Sequence, residues 1–79
     1  MMTIDQFLDR WKVLHDRRKR AHHRGRAWGM IALDAASLDW NTTEAFRRAE
    51  RWGIVETKLE NRIHQLIQEY QQNAADVTN

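Results

Sequence analysis

The sequence predicts an all-α protein, either a helical hairpin or a small three- to four-helix bundle. Proline is absent from the 79 residues and glycine occurs only three times. Apolar residues recur at intervals of three and four along most of the chain, as on one face of a helix. We expect one helical domain over residues 1–72 and a frayed tail over residues 73–79, because the tail has no apolar periodicity.

The first helix is predicted to begin at Thr3. Thr3 and Gln6 have the residue types and the spacing of a capping box, in which each side chain accepts a hydrogen bond from the backbone N–H of the other residue. An apolar stripe with helical spacing follows, formed by Ile4, Phe7, Leu8, Trp11 and Leu14. At the next positions of the same spacing the side chains become polar and then small.

The sequence around Gly25 allows two positions for the end of the first helix. In the interpretation that we favour, Gly25 ends this helix, basic residues in its last turn complement the helix dipole, and a second helix covers about residues 26–38. In the alternative, the helix continues through Gly25. Small residues then form a ridge that another helix can approach closely: Ala21, Gly25, Gly29, Ala32 and Ala36.

A long amphipathic helix is predicted in the second half of the chain. Asn41, followed by Glu44 three residues later, favours a helix start. The apolar residues beyond it alternate in steps of four and three, interrupted at Glu56: Ala45, Ala49, Trp52, Leu59, Ile63, Leu66 and Tyr70. This heptad character predicts packing against another helix along the whole length, and possible dimerisation through this C-terminal helix.

Gly53 allows a second interpretation of the same segment. Thr57 and Glu60 have capping-box spacing, so the helix could stop near Gly53 and restart at Thr57. Residues 49–59 are then similar to the core of a helix-turn-helix, in which an alanine precedes the turn glycine by four residues. The resemblance implies a DNA-binding regulator. Two arginines stand where that motif usually has apolar residues, Arg48 and Arg62.

Positive charge is concentrated in residues 10–26. This segment holds eight of the 13 Lys and Arg residues and one of the 11 carboxylates, so it should attract a polyanion. Most of these residues are arginines, which favours bidentate contacts with phosphates or carboxylates. The alternative is a solvated surface that pairs with glutamates of the later helix. We predict a partner-binding surface, the basic belt, formed by Arg10, Arg17, Arg18, Lys19, Arg20, His22, His23, Arg24, Arg26 and Trp28.

Catalytic, metal-binding and membrane functions find little support in the sequence. Cysteine is absent, no glycine-rich phosphate loop is present, and Ser37 has no histidine at helical contact spacing. His15 and His22 share a helix face but are two turns apart, too distant to bind one metal ion. No apolar run approaches the roughly 20 residues that span a bilayer. We expect a non-enzymatic, cytoplasmic protein with no cofactor, no metal and no membrane partner.

These features predict a small binding protein whose basic belt engages a polyanion, either nucleic acid or the groove of a larger nucleoprotein machine. In size and composition the chain resembles the inhibitors and accessory regulators of phages and mobile elements, anti-CRISPR proteins included. Two alternatives stay open: a helix-turn-helix regulator around Gly53, and a structural subunit of a helical assembly. A homodimer is also expected, because short chains without disulfides commonly need self-association for stability.

Overall fold

The protein is a hairpin of two long helices. The structure, a computed structural model, describes the backbone of residues 2–78 and the side chains of residues 2–73. Helix α1 covers Ile4–Ser37 and helix α2 covers Thr43–Thr78, and no strand occurs between residues 2 and 78. The hairpin measures 63 × 16 × 13 Å. This confirms the all-α class and fits the helical hairpin.

Helix α1 begins at the predicted capping box. The Oγ1 atom of Thr3 accepts a hydrogen bond from the backbone N–H of Gln6 at 3.2 Å, and Oε1 of Gln6 accepts from the backbone N–H of Thr3 at 3.1 Å. Two backbone donors at the helix N-terminus, which have no partner inside the helix, are satisfied in this way. The predicted start of α1 is therefore confirmed.

The prediction that the first helix ends at Gly25 is wrong, because α1 continues to Ser37. A Cβ atom at Gly25 would lie 3.2 Å from Cβ of Trp52 and 3.7 Å from the backbone oxygen of Ala49. Gly25 thus marks a close approach between the two helices, where a side chain would crowd α2. The separate helix predicted over residues 26–38 is the last part of α1.

Helix α2 is also continuous, so the predicted break at Gly53 does not occur. The turn that a helix-turn-helix needs at this position is not formed, and the segment around Gly53 is ordinary helix. Helix α2 extends to Thr78, six residues beyond the predicted end at Gln72. The predicted frayed tail, 73–79, falls almost wholly on residues whose side chains lie outside the described part of the chain.

The two helices meet along a heptad seam, as the periodicity of α2 predicts. Among the α2 stripe residues, Ala45, Ile63 and Leu66 are buried, and Tyr70 stacks on Phe7 of α1 with ring centroids 4.5 Å apart. On α1 all but two of the positions that are not exposed, His15 and Gly29 being the exceptions, alternate in steps of four and three: Phe7, Trp11, Leu14, Arg18, Ala21, Gly25, Trp28, Ala32 and Ala35. The stripe that predicted dimerisation through α2 is thus occupied by α1 of the same chain.

The side chains at the seam differ in size between the two ends of the hairpin. Near the chain termini it is filled by large side chains, including Phe7, Leu66 and Tyr70, whereas near the turn it is lined mainly by small residues. Ala21, at the middle of α1, and Ala32, near the turn, are the two most buried residues among those whose side chains the structure describes. Small residues allow the helix backbones to approach closely but remove little apolar area from water. In the half of the hairpin near the turn, Trp28 and Trp52, both half-buried, are the large apolar side chains among these small residues.

The turn between the helices is fixed by backbone hydrogen bonds. The N–H of Trp40 donates to the carbonyl of Ala35 at 2.9 Å and the N–H of Asp39 donates to the carbonyl of Ala36 at 3.1 Å, the two bonds of a Schellman motif. Asp39 has a positive φ of 58°. Helix α2 starts two residues after Asn41, whose Oδ1 accepts from the N–H of Thr43 at 3.0 Å.

Candidate polyanion-binding groove

The hairpin divides the basic belt between two sides of the seam. Residues seven apart occupy the same heptad position, which places Arg10, Arg17 and Arg24 along one edge of α1. Lys19 and Arg26 share a different heptad position, on the opposite side of the seam. The belt is therefore not one continuous surface, and only part of it lies beside any given side of α2.

Three arginines of the belt line a cavity of 260 Å³ between the helices. Arg17, Arg20 and Arg24 contribute from α1, and the α2 wall is apolar, formed by Trp52, Val55 and Leu59. No carboxylate lines this cavity, and none of the three arginines forms an ion pair with another described side chain. All three arginines are exposed, so their positive charges can attract an anion from solution.

A larger, open cavity of 490 Å³ continues from the first and shares Arg17 with it. Arg10 and Arg62 add two more guanidinium groups, over an apolar floor that includes Leu14 and Leu66. Two carboxylates also line this second cavity, Asp9 and Glu69. We call the two cavities together the arginine groove, with the basic residues Arg10, Arg17, Arg20, Arg24 and Arg62.

Arg24 is held in the groove by the indole ring of Trp52. Its guanidinium carbon lies 5.0 Å from the ring centroid, within the range of a cation–π contact. A guanidinium that stacks on an aromatic face keeps its in-plane N–H donors free for another partner. The contact therefore reduces the conformational freedom that Arg24 would lose on binding an anion.

A second arginine–tryptophan pair lies nearer the turn, with the roles of the helices exchanged. Arg48 of α2 lies over Trp28 of α1, 4.7 Å from the ring centroid, and its Nε donates to Oε1 of Glu44 at 2.9 Å. This hydrogen bond, together with the positive charges of Arg48, Arg47 and Arg51, lowers the pKa of Glu44 below its ordinary value. Trp28, predicted to bind a partner, is half-buried on the seam under Arg48.

Two other members of the belt pair with α2 glutamates. Nδ1 of His22 donates to Oε2 of Glu56 at 2.9 Å, and Arg18 lies 3.6 Å from Oε1 of Glu60. Glu56, the interruption in the predicted stripe, is thus a seam residue with a polar partner across the hairpin. For Arg18 and His22, the alternative to partner binding therefore applies: these side chains pair with glutamates of the later helix. Exposed pairs of this kind contribute only about 0.2–1 kcal/mol.

The remaining predicted site residues lie outside the arginine groove. Lys19, His23 and Arg26 are exposed, and the His23 ring contacts the neighbouring His22 ring edge-on, with centroids 5.9 Å apart. Arg26 lines a smaller cavity on the His22 side of the hairpin. The structure thus brings together Arg10, Arg17, Arg20 and Arg24 of the predicted set and separates the others from them.

The α2 half of the groove is what the sequence analysis missed. Arg62 and the apolar wall around Trp52 were not among the predicted site residues, although both lie on α2 beside the predicted stripe. The heptad register contains the relevant information, because Arg62 is seven residues beyond Val55 and so shares its edge of the seam. This register identifies the site only when α1, with its arginines, is known to be the helix that packs beside that edge of α2.

No group of three or more His, Cys, Asp or Glu side chains that could hold a metal ion occurs in the described part of the chain. Within the same residues, neither helix has a stretch that is both long and apolar enough to cross a membrane.

Comparisons with protein families, with curated proteins and with solved structures find no match to this chain. Its class is therefore defined by the fold and the groove alone: a two-helix hairpin with arginines grouped along one side of its seam.

Proposed function

We propose that this protein is a non-enzymatic nucleic-acid-binding protein and that the arginine groove contacts the phosphate backbone. The observation that carries the proposal is the 260 Å³ cavity, in which Arg17, Arg20 and Arg24 face an apolar wall without a carboxylate. Arginine suits phosphate ligands, because two parallel N–H groups of its guanidinium group match two phosphate oxygens, as they also match the two oxygens of a carboxylate.

The spacing of the arginines suits an extended polyanion better than a single small anion. Arg10, Arg17 and Arg24 are seven residues apart on α1, which corresponds to about 10.5 Å at the helical rise per residue. The row from Arg10 to Arg24 is therefore about 21 Å long at this rise. A row of this length can contact several phosphates of one strand, whereas a single phosphate group would reach only one of these arginines.

The groove has few features for reading sequence. Its polar groups are nearly all guanidinium groups, which bind phosphates of any sequence, and Trp52 is already covered by Arg24. We therefore propose binding with little sequence preference, of the kind in which a basic groove follows a nucleic-acid backbone. A role as an inhibitor of a larger nucleoprotein machine stays a prediction from size and composition.

The proposal is tested by fluorescence anisotropy with labelled single-stranded and duplex oligonucleotides over a range of salt concentrations. Three to five phosphate contacts predict that the logarithm of the association constant falls with the logarithm of salt concentration with a slope of about −2 to −3.5 on single strands. An absence of binding at low salt would contradict the proposal. Equal competition by polyglutamate at the same charge concentration would contradict nucleic acid as the preferred polyanion.

A further inference from the structure

The two arginine–tryptophan pairs lie on the same side of the seam. Arg24 lines the arginine groove and lies over Trp52, with its guanidinium carbon 5.0 Å from the ring centroid. Arg48 lies over Trp28 at 4.7 Å and is seven residues before Val55, which also lines the groove. Arg48 therefore shares the heptad position of Val55, and both guanidinium groups belong to the groove side of the hairpin.

Exposed apolar side chains accompany these pairs on the groove side. Val55, 40% exposed, forms part of the groove wall together with Leu59. Ile31, 50% exposed, is seven residues after Arg24 and so continues the row of α1 arginines towards the turn. The groove side thus presents two kinds of surface next to each other, guanidinium groups and apolar carbon.

A single strand of nucleic acid has the same two kinds of surface. Its phosphates are charged, and its unpaired bases have planar faces that stack on aromatic rings and on the planes of guanidinium groups. Arg48 is suited to such stacking rather than to a phosphate, because its Nε already donates to the Glu44 carboxylate. In a duplex the base faces lie inside the stack, so phosphates and sugars alone would reach the apolar wall.

Charge by itself favours the duplex over the single strand. A duplex carries one negative charge per about 1.7 Å of its axis, against about 3.4 Å for one of its strands. A protein that used only arginine–phosphate contacts would therefore bind the duplex at least as well. A preference for the single strand requires contacts with the bases, which makes strandedness a sharp test of what the apolar wall does.

We infer that the arginine groove, with its continuation past Ile31 and Arg48, binds single-stranded nucleic acid, DNA or RNA, in preference to the duplex. The phosphates contact the groove arginines, and the bases pack against Val55, Ile31 and the guanidinium groups that cover the tryptophans. The inference rests on the proposed function and adds to it the strandedness of the ligand.

The test is fluorescence anisotropy at one low salt concentration with three ligands of equal length. These are a single strand of mixed sequence, its duplex, and an abasic strand that keeps the phosphates and sugars but has no bases. DNA and RNA are each compared with their own duplex. We expect the single strand to bind about tenfold or more tightly than the duplex and the abasic strand, because stacked bases add to its affinity.

Two neighbouring residues of α2 provide a matched pair of uncharged substitutions. Val55→Ser removes a branched apolar side chain from the groove wall, whereas Ile54→Ser removes one that is 51% exposed and lines neither groove cavity. We expect Val55→Ser to weaken single-strand binding by about threefold or more through the lost apolar contact and to leave duplex binding unchanged. Ile54→Ser should change neither affinity.

The outcomes separate this inference from the proposed function. Equal affinity for the single strand and the duplex, or for the normal and the abasic strand, would overturn the inference and leave the proposed function standing, because phosphate contacts would then account for the binding. An equal loss in the two serine variants would also overturn the inference. An absence of binding by all three ligands would overturn both.

Discussion

The three glycines face different surroundings, although all three are helical. A Cβ atom at Gly25 would meet Cβ of Trp52 at 3.2 Å, whereas one at Gly29 or Gly53 would meet no atom within 4 Å. Alanine is favoured over glycine inside a helix by about 0.5–1 kcal/mol. At Gly25 this gain is opposed by crowding between the helices, and overpacking costs about 1–3 kcal/mol.

We therefore expect Gly29→Ala and Gly53→Ala each to raise the free energy of unfolding by about 0.5–1 kcal/mol. Gly25→Ala should instead leave it unchanged or lower it by up to about 2 kcal/mol. Urea denaturation followed by circular dichroism, at one protein concentration, measures the three differences. Equal stabilisation by all three substitutions would show that the helices are not closely spaced at Gly25.

Glu44 provides a pH-dependent contribution to stability. Its pKa is lowered in the folded protein, first by the hydrogen bond from Arg48 and then by nearby positive charges. A carboxylate with a depressed folded pKa stabilises the protein above its unfolded pKa, and the contribution is lost as pH falls through the folded pKa. We expect Glu44→Gln to lower the melting temperature at neutral pH and to match wild type in acid. A difference that stays constant from neutral to acidic pH would contradict this.

At the scale of elements, the turn depends on the conformation of Asp39. This residue lies two positions beyond the end of α1 and has a φ of 58°, a left-handed conformation in which glycine is less strained than any residue with a side chain. We expect Asp39→Gly to raise the free energy of unfolding by up to about 1 kcal/mol. The control Asp16→Gly, inside α1, should give no gain because glycine is unfavourable in a helix interior. Stabilisation by both substitutions would refute the role of the turn.

The second helix could be predicted from the sequence more completely than the first. The stripe of α2 consists mostly of large apolar residues, and even its interruption at Glu56 lies on the seam. The end of α1 could not be predicted, because a glycine after a helix and a glycine at a close helix contact look the same in local sequence. Trp52, which decides between them, is 27 residues from Gly25.

For a related reason, only the α1 half of the candidate site could be predicted from the sequence. Charge density identifies the α1 arginines, since it is visible in the sequence without any fold. The α2 part, Arg62 with the wall around Trp52, depends on the register between the helices. That register is fixed by packing at positions such as Phe7 and Tyr70, far apart in sequence.

At the scale of the whole molecule, basic residues of α1 lie on both sides of the seam. Arg17 and Arg24 line the arginine groove on one side, whereas Arg26 lies on the His22 side. Net charge alone therefore does not distinguish the groove from the rest of the hairpin.

The central claim is that the arginine groove, and not basic charge in general, binds nucleic acid. It is tested most directly by comparing two triple variants of equal net charge in the anisotropy experiment at low salt. Arg17→Gln/Arg20→Gln/Arg24→Gln changes the groove. Lys12→Gln/Lys19→Gln/Arg26→Gln removes three exposed charges of α1 from outside it.

We expect the groove variant to lose affinity by on the order of a hundredfold, since three phosphate contacts disappear, and the control variant to lose only a few-fold through weaker long-range attraction. Glutamine has a helix propensity close to that of arginine and lysine, so both variants should stay helical by circular dichroism. Equal losses in the two variants, or no loss in the groove variant, would contradict the account.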